Sequence, residues 1–158
     1  MQDEILARFI RGTAWDSKLI EWQTRAWCSH CEAMMPDWKQ TLGAMLKGGV
    51  KYRSFDDPEY KGVKRWENWH VPCTIAQKDT FYGFMESQIG KPYDWRGIVS
   101  FALGERDWRD ASAWFCSEIL FRAVEVAGLT KVPEQIPTDR LSPRDAYLIV
   151  TMLPGAWK

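Results

Sequence analysis

Histidine is scarce in this chain, two residues in 158. Any chemistry that needs an imidazole near neutral pH must therefore use His30 or His70. Long apolar runs are missing as well. None approaches the ~20 residues of a membrane-spanning helix, so no integral membrane contact is expected. Neither sign of charge dominates: Lys+Arg and Asp+Glu are both 21, which removes any bulk pull toward nucleic acid or anionic lipid. The start, Met1-Gln2-Asp3-Glu4, opens on acids and lacks the basic-then-apolar layout of a signal peptide, so the expected location is cytoplasmic. Four cysteines, at 28, 31, 73 and 116, are too few for the dense disulfide framework of a small secreted scaffold, and a reducing compartment suits them better. Repeats, low-complexity tracts and linkers are also lacking, and the length suits one domain over 1–158.

Aromatic residues are what the chain has in excess. They make up 14% of it and include ten tryptophans, a side chain that fills cores but also lines grooves holding sugars, peptides or acyl chains.

Apolar patterning predicts an α+β protein, a small antiparallel sheet with helices packed against it. A first strand is expected over Ile5–Ile10, and a helix from Asp16 or Ser17 to about Arg25. A meander of strands should follow, from Ser29–Met35 through Thr41–Leu46 to Val50–Tyr52 after Gly48-Gly49. Residues 54–62 read as a surface loop, and Val63–Val71 as a further strand ended by Pro72. Helical spacing of Ile75, Phe81, Phe84, Met85 and Ile89 predicts a helix to Gly90-Lys91-Pro92. A second short helix is expected over Trp95–Leu103, then a polar loop over 104–112. Pro133 and Pro137 mark an irregular connection, and Ser142-Pro143-Arg144-Asp145 is a start signal for a last short helix.

Chemistry points to Trp114-Phe115-Cys116-Ser117-Glu118-Ile119-Leu120. Ile119, Leu120, Ala123, Val124 and Ala127 recur on one helical face, and Gly128 supplies a stop. Cys116 sits in the first turn of that face, where the helix dipole and unpaired N–H groups favour thiolate. A buried, unreactive core cysteine is the competing reading. A cysteine nucleophile also needs a base, and the base needs a group to hold its ring. In an extended segment the two-residue period puts His30, Glu32 and Met34 on one face, so Glu32 can fix the imidazole of His30. His70, between Trp69 and Val71, has no comparable carboxylate nearby in sequence and reads as structural.

Two further patterns compete for attention. Cys28-x-x-Cys31 with His70-x-x-Cys73 has the ligand types of a tetrahedral zinc site. Extended structure around Cys31, however, would turn the first two thiols to opposite faces, and otherwise Cys28, Cys31 and Cys73 are core residues. In Gly90-Lys91-Pro92-Tyr93-Asp94-Trp95, a helix stop and turn suffices as an explanation. A tyrosine after a rigid Gly-x-Pro can equally hold its hydroxyl at a fixed point beside an oxyanion.

Ser-His-Cys-Glu at 29–32, Gly-Lys-Pro-Tyr-Asp-Trp at 90–95 and Phe-Cys-Ser-Glu at 115–118 together resemble the circularly permuted branch of the NlpC-type papain-like cysteine hydrolases. The YiiX/YebB-like proteins and related phage-encoded proteins belong to that branch. In the unpermuted cell-wall peptidases a Gly-x-Pro-Tyr segment leads to an Asp-Cys-Ser-Gly helix start and the histidine strand follows; here the histidine strand comes first. The resemblance implies a papain-like fold with the nucleophile at a helix N-terminus. It also implies Cys116 as nucleophile, His30 as base and Tyr93 as a residue lining the oxyanion site. Phe115 and Glu118 replace the aspartate and glycine of the peptidases, so cell-wall specificity does not carry over. The family's third polar residue often lies on the strand after the histidine, where this chain offers Gln40 or Thr41; Glu32 is favoured instead.

The expected function is a cysteine hydrolase or acyltransferase acting on an amide, ester or thioester of a peptide or lipid-acyl substrate. No cofactor or metal is expected, and Trp95 and Trp114 are candidates for the substrate groove. The alternative is a zinc-stabilised or catalytically silent phage or prophage binding module.

Overall fold

A computed structural model describes residues 3–12, 15–95, 112–131 and 141–158. Five strands form one antiparallel sheet: β1 (Asp3–Arg11), β2 (His30–Met34), β3 (Gln40–Met45), β4 (Gly49–Ser54) and β5 (Arg65–Cys73), in the order β4-β3-β2-β1-β5. The helices are α1 (Trp15–Thr24), α2 (Ile75–Ser87), α3 (Cys116–Val126) and α4 (Pro143–Thr151). This is the expected small α+β arrangement. No helix among the described residues is long and apolar enough to cross a membrane.

Alternation along β1 divides the sheet into two faces. Ile5, Ala7 and Phe9 join Cys31, Ala33, Leu42, Ala44, Val50 and Val71 in the main core beneath the helices, with Ile119, Leu120, Ala123 and Val124 of α3. Paired residues share a face, so the register Ile10↔His30, Arg8↔Glu32 and Leu6↔Met34 puts those six side chains on the opposite side. Arg53 joins them through Met34↔Thr41 and Thr41↔Arg53.

Local signals explain the helix boundaries. Thr74 and Gln77 form a reciprocal capping box on α2, with Gln77 N donating to Thr74 Oγ1 at 3.2 Å and Thr74 N to Gln77 Oε1 at 3.0 Å. Ser142 and Asp145 do the same for α4, with Pro143 in its first turn. Helix α3 stops at Gly128, whose φ of +69° favours glycine. Gly128 N and Leu129 N return to the carbonyls of Glu125 and Val124, closing the end as a Schellman motif.

Two expectations are corrected. Strand β5 runs through Pro72 to Cys73, because it is an edge strand on which a missing N–H breaks no inner ladder. Residues 54–62 are not wholly irregular: Pro58–Gly62 form a 3-10 helix whose start is capped by Asp57. The helix expected over Trp95–Leu103 lies outside the described residues beyond Trp95, as do the loop over 104–111 and the connection around Pro133 and Pro137.

Candidate functional site

Cys116 is the first residue of α3, preceded by Phe115 in an extended N-cap conformation with φ −86° and ψ 152°. A phenylalanine has no acceptor to cap the helix. Only the return arm of a capping box forms, with Phe115 N donating to Glu118 Oε2 at 3.3 Å. Glu118, a departure from the peptidase pattern, thus ties down the start of the helix. The first-turn amides at Cys116 and Ser117 receive no acceptor from the cap residue.

β3 pairs with β2 only at Ala33↔Leu42 and Met34↔Thr41. Closer to His30 the ladder is open, and there the start of α3 meets the sheet. Side chains of both parities consequently approach Cys116: the His30 imidazole, the Cys31 thiol and the Cys31 backbone amide all lie close enough to act electrostatically on its sulfur. Burial alone would raise the Cys116 pKa, but the neighbouring Cys31 and the positive charge of His30 together hold it well below a free thiol's 9.0. Burial likewise works against a charged His30. The negative sulfur, followed by Glu32, outweighs it and lifts the imidazole to about 9. Cys31 is pushed the other way, upward, by its burial and by the adjacent Cys116, so it stays a thiol.

Glu32 is fully buried, and burial would make it neutral; His30, Arg53 and Tyr60 overcome that and hold it near 2. Its Oε2 lies 3.4 Å from His30 Nε2 and 2.6 Å from an Arg53 terminal nitrogen. The His30 contact is an ion-pair distance without hydrogen-bond geometry, since Nε2 has no hydrogen-bond partner. With Nε2 turned to Glu32, Nδ1 is the nitrogen left for Cys116. Tyr60 donates to Glu32 Oε1 at 2.5 Å, and Thr41 Oγ1 stands 2.8 Å from the Tyr60 oxygen. Since the Tyr60 proton is committed, the threonine hydroxyl is the donor there. The Arg53 guanidinium also lies 3.9 Å above the Tyr60 ring. Gly43 makes room for this cluster, because a Cβ there would stand 3.1 Å from Glu32 Cβ.

Tyr93 is held from both sides. Lys91 O accepts from Val50 N and Gly90 N donates to Val50 O, which docks the Gly-Lys-Pro segment on the start of β4. Tyr93 bridges Trp114, with Trp114 N donating to Pro92 O and Asp94 N to Trp114 O. Its ring lies 5.7 Å from that of Phe115, and it lines a cavity of about 390 Å³ with His30, Ser29, Ile10, Met45 and Arg53. Cys116 is 1% exposed and is not part of that lining; the cavity reaches the site at His30 and Tyr93.

Trp95 and Trp114 do not line this cavity either. Trp114 packs edge-on against Phe84 at 6.0 Å and donates to Gln88 Oε1 at 3.1 Å. Trp95 is exposed. His70 is structural: its ring stacks on Trp157 at 3.8 Å, and Nδ1 lies 3.0 Å from Glu4 Oε1. The zinc combination is not assembled. Cys31 pairs with Phe9 and Cys73 with Asp3, six residues or ~20 Å apart along β1, and the Cys28 thiol donates to Pro143 O.

Arg53, Tyr60 and the Cys31 contact were not evident from the sequence. Of these only Arg53 left a signal, as a charge whose position after Gly48-Gly49 sets it opposite Thr41 in a tight hairpin.

No family model matches the chain, and no curated protein matches it. Among solved structures it is similar to the metalloprotein YiiX from Escherichia coli O157:H7 (DUF1105), at 19% identity and a TM-score of 0.69, covering 98% of this chain and 94% of that one. The chain therefore has a YiiX-like fold. A resident metal does not fit the described residues of this chain, among which no group of three or more His, Cys, Asp or Glu could hold one.

Proposed function

We propose that the chain is a cysteine hydrolase or acyltransferase of the permuted NlpC-type, papain-like kind, in the branch that includes phage-encoded proteins. It would act on an amide, ester or thioester carbonyl. The observation that carries this reading is the approach of His30 to Cys116, the first residue of a helix, with Glu32 3.4 Å behind the imidazole. Such a pair exists as thiolate and imidazolium between the lowered pKa of Cys116 and about 9, where His30 deprotonates.

In the proposed reaction the Cys116 sulfur attacks the carbonyl carbon, forming a C–S bond. The carbonyl electron pair moves to oxygen, where the first-turn amides and the Tyr93 hydroxyl are the candidate donors. Collapse breaks the bond to the leaving group, which takes the proton from His30 Nδ1. A water or other acceptor then loses a proton to His30, attacks the thioester carbonyl and releases the sulfur as thiolate. Cys116, His30, Glu32 and Tyr93 are the residues assigned to these steps.

Competitive labelling with iodoacetamide tests the proposal. Cys116 is expected to react before Cys28, Cys31 and Cys73, with a pH midpoint well below that of a free thiol, and His30→Ala should abolish that preference. Equal labelling of all four cysteines with an unshifted midpoint would overturn it.

A further inference from the structure

A second cavity of about 280 Å³ is lined by Arg8, Ile10, Phe55, Tyr60, Val63 and Trp66. It shares Ile10 and Val63 with the cavity that reaches His30 and Tyr93, so the two adjoin across an apolar ridge. Arg8 and His30 face the same side of the sheet on neighbouring strands, two residues apart in register, which separates their backbones by ~8 Å.

The second compartment is built around a cation with no counter-charge among the described residues. Arg8 Nε donates to Asn68 Oδ1 at 2.9 Å, a neutral amide. The guanidinium lies 4.5 Å above the Phe55 ring, which fixes its plane. Its terminal nitrogens take no partner among the described residues. The acid opposite it in the sheet, Glu32, is already bound by Arg53, His30 and Tyr60, and Glu59 at the cleft pairs with Arg53. A half-buried guanidinium with a neutral neighbour, aromatic walls and two terminal nitrogens without a partner among the described residues matches a terminal oxyanion presented on an apolar stem.

We infer that Arg8, Phe55, Tyr60 and Trp66 form a binding subsite for an anionic group, a carboxylate or phosphate, at the end of the acyl substrate remote from the reacting carbonyl. This rests on the acyl-transfer reading above and names its substrate class. The stem crosses Ile10 and Val63, and its carbonyl reaches His30 and Cys116. Acids at the remote end are attracted by Arg8, while a neutral chain of equal length fills the same apolar ridge without that contact.

The test compares p-nitrophenyl pentanoate with the mono-p-nitrophenyl ester of glutarate and with p-nitrophenyl 4-phosphonobutanoate, following p-nitrophenolate release and the mass of acylated Cys116. A charge-assisted contact is expected to raise kcat/KM for at least one anionic donor by about tenfold to a hundredfold over the neutral one. Which anion is preferred identifies the source as carboxylate or phosphate. Arg8→Gln should bring the ratio close to one, and Arg8→Lys should restore part of it. Equal rates for all three donors with the unaltered chain overturn the subsite while leaving the nucleophile standing. A separate titration of Cys116→Ala with glutarate monoamide and 4-phosphonobutanamide, read from the Trp66 indole resonance, needs no catalysis. Saturable binding there with no acylation by any donor supports the subsite and defeats the hydrolase reading; no shift with either amide overturns the subsite.

Discussion

Replacing Glu32 by glutamine removes one negative charge from behind His30 and should shorten the pH range over which the imidazolium persists. In the folded chain His30 is raised from 6.5 to about 9, about 3 kcal/mol at ~1.4 kcal/mol per unit. Cys116 supplies more of the upward shift than Glu32 does, with burial opposing both, so Glu32→Gln should lower the His30 pKa while Cys116 still acts to raise it. The same substitution has a cost in stability. Glu32 is lowered from 4.5 to about 2, so its contribution, again about 3 kcal/mol, is complete above pH 4.5 and lost as pH falls through about 2. For His30 the sign reverses: its contribution is complete below 6.5 and lost as pH rises through about 9. Glutamine also leaves the buried Arg53 with the part-exposed Glu59 as its remaining carboxylate, so the cost stays below the ~3–5 kcal/mol of a buried charge with no partner. Tyr60→Phe keeps the charge and serves as the control, because it removes one hydrogen bond to Glu32 and should hardly move His30. The assay is an NMR titration of the His30 ring, with unfolding by urea measured in parallel. An unchanged His30 pKa in a folded Glu32→Gln chain would refute the electrostatic role assigned to Glu32.

Other expectations concern access and support. Because Cys116 is 1% exposed, iodoacetamide should label it at least tenfold faster, relative to a free thiol standard, than a bulky aromatic disulfide reagent does; equal relative rates would contradict the buried position. At Gly49, with φ +68°, an added Cβ would stand 2.1 Å from the Lys91 carbonyl oxygen. Gly49→Ala should therefore lower the unfolding free energy by ~2 kcal/mol or more and shift the Tyr93 resonances, since Lys91 docks that segment. Glu118→Ala removes the side-chain hydrogen bond that the Phe115 amide makes to α3; a loss of ~1 kcal/mol in a urea melt is expected.

Much of this geometry was legible because it rests on period and parity. Alternation over His30-Cys31-Glu32 put the histidine and the carboxylate on one face, and the apolar spacing after Cys116 put the thiol at a buried helix start. Pairing between distant segments was not legible. The open ladder between β2 and β3 brings Cys31 to the Cys116 sulfur although parity turns it away from His30, and no local pattern announces where two strands part. Tyr60 was hidden in a stretch that reads as loop because Asp57, Pro58 and Gly62 are turn residues, which also suit a short 3-10 helix. Pro72 was misread because the rule that proline ends strands holds for inner strands and lapses at an edge. Abundance alone does not assign the tryptophans a role: Trp114 packs edge-on against Phe84 and donates to Gln88.

The central claim is that Cys116 forms a covalent acyl intermediate with help from His30. Its most direct test is the intact mass of the chain after brief exposure to a panel of activated peptide and fatty-acyl esters and thioesters, quenched in acid. One acyl group per chain, mapped to Cys116, absent in Cys116→Ala and strongly reduced in His30→Ala, is the predicted result. A chain that stays unmodified across the panel, or that carries its acyl groups equally on Cys116→Ala, would contradict the account.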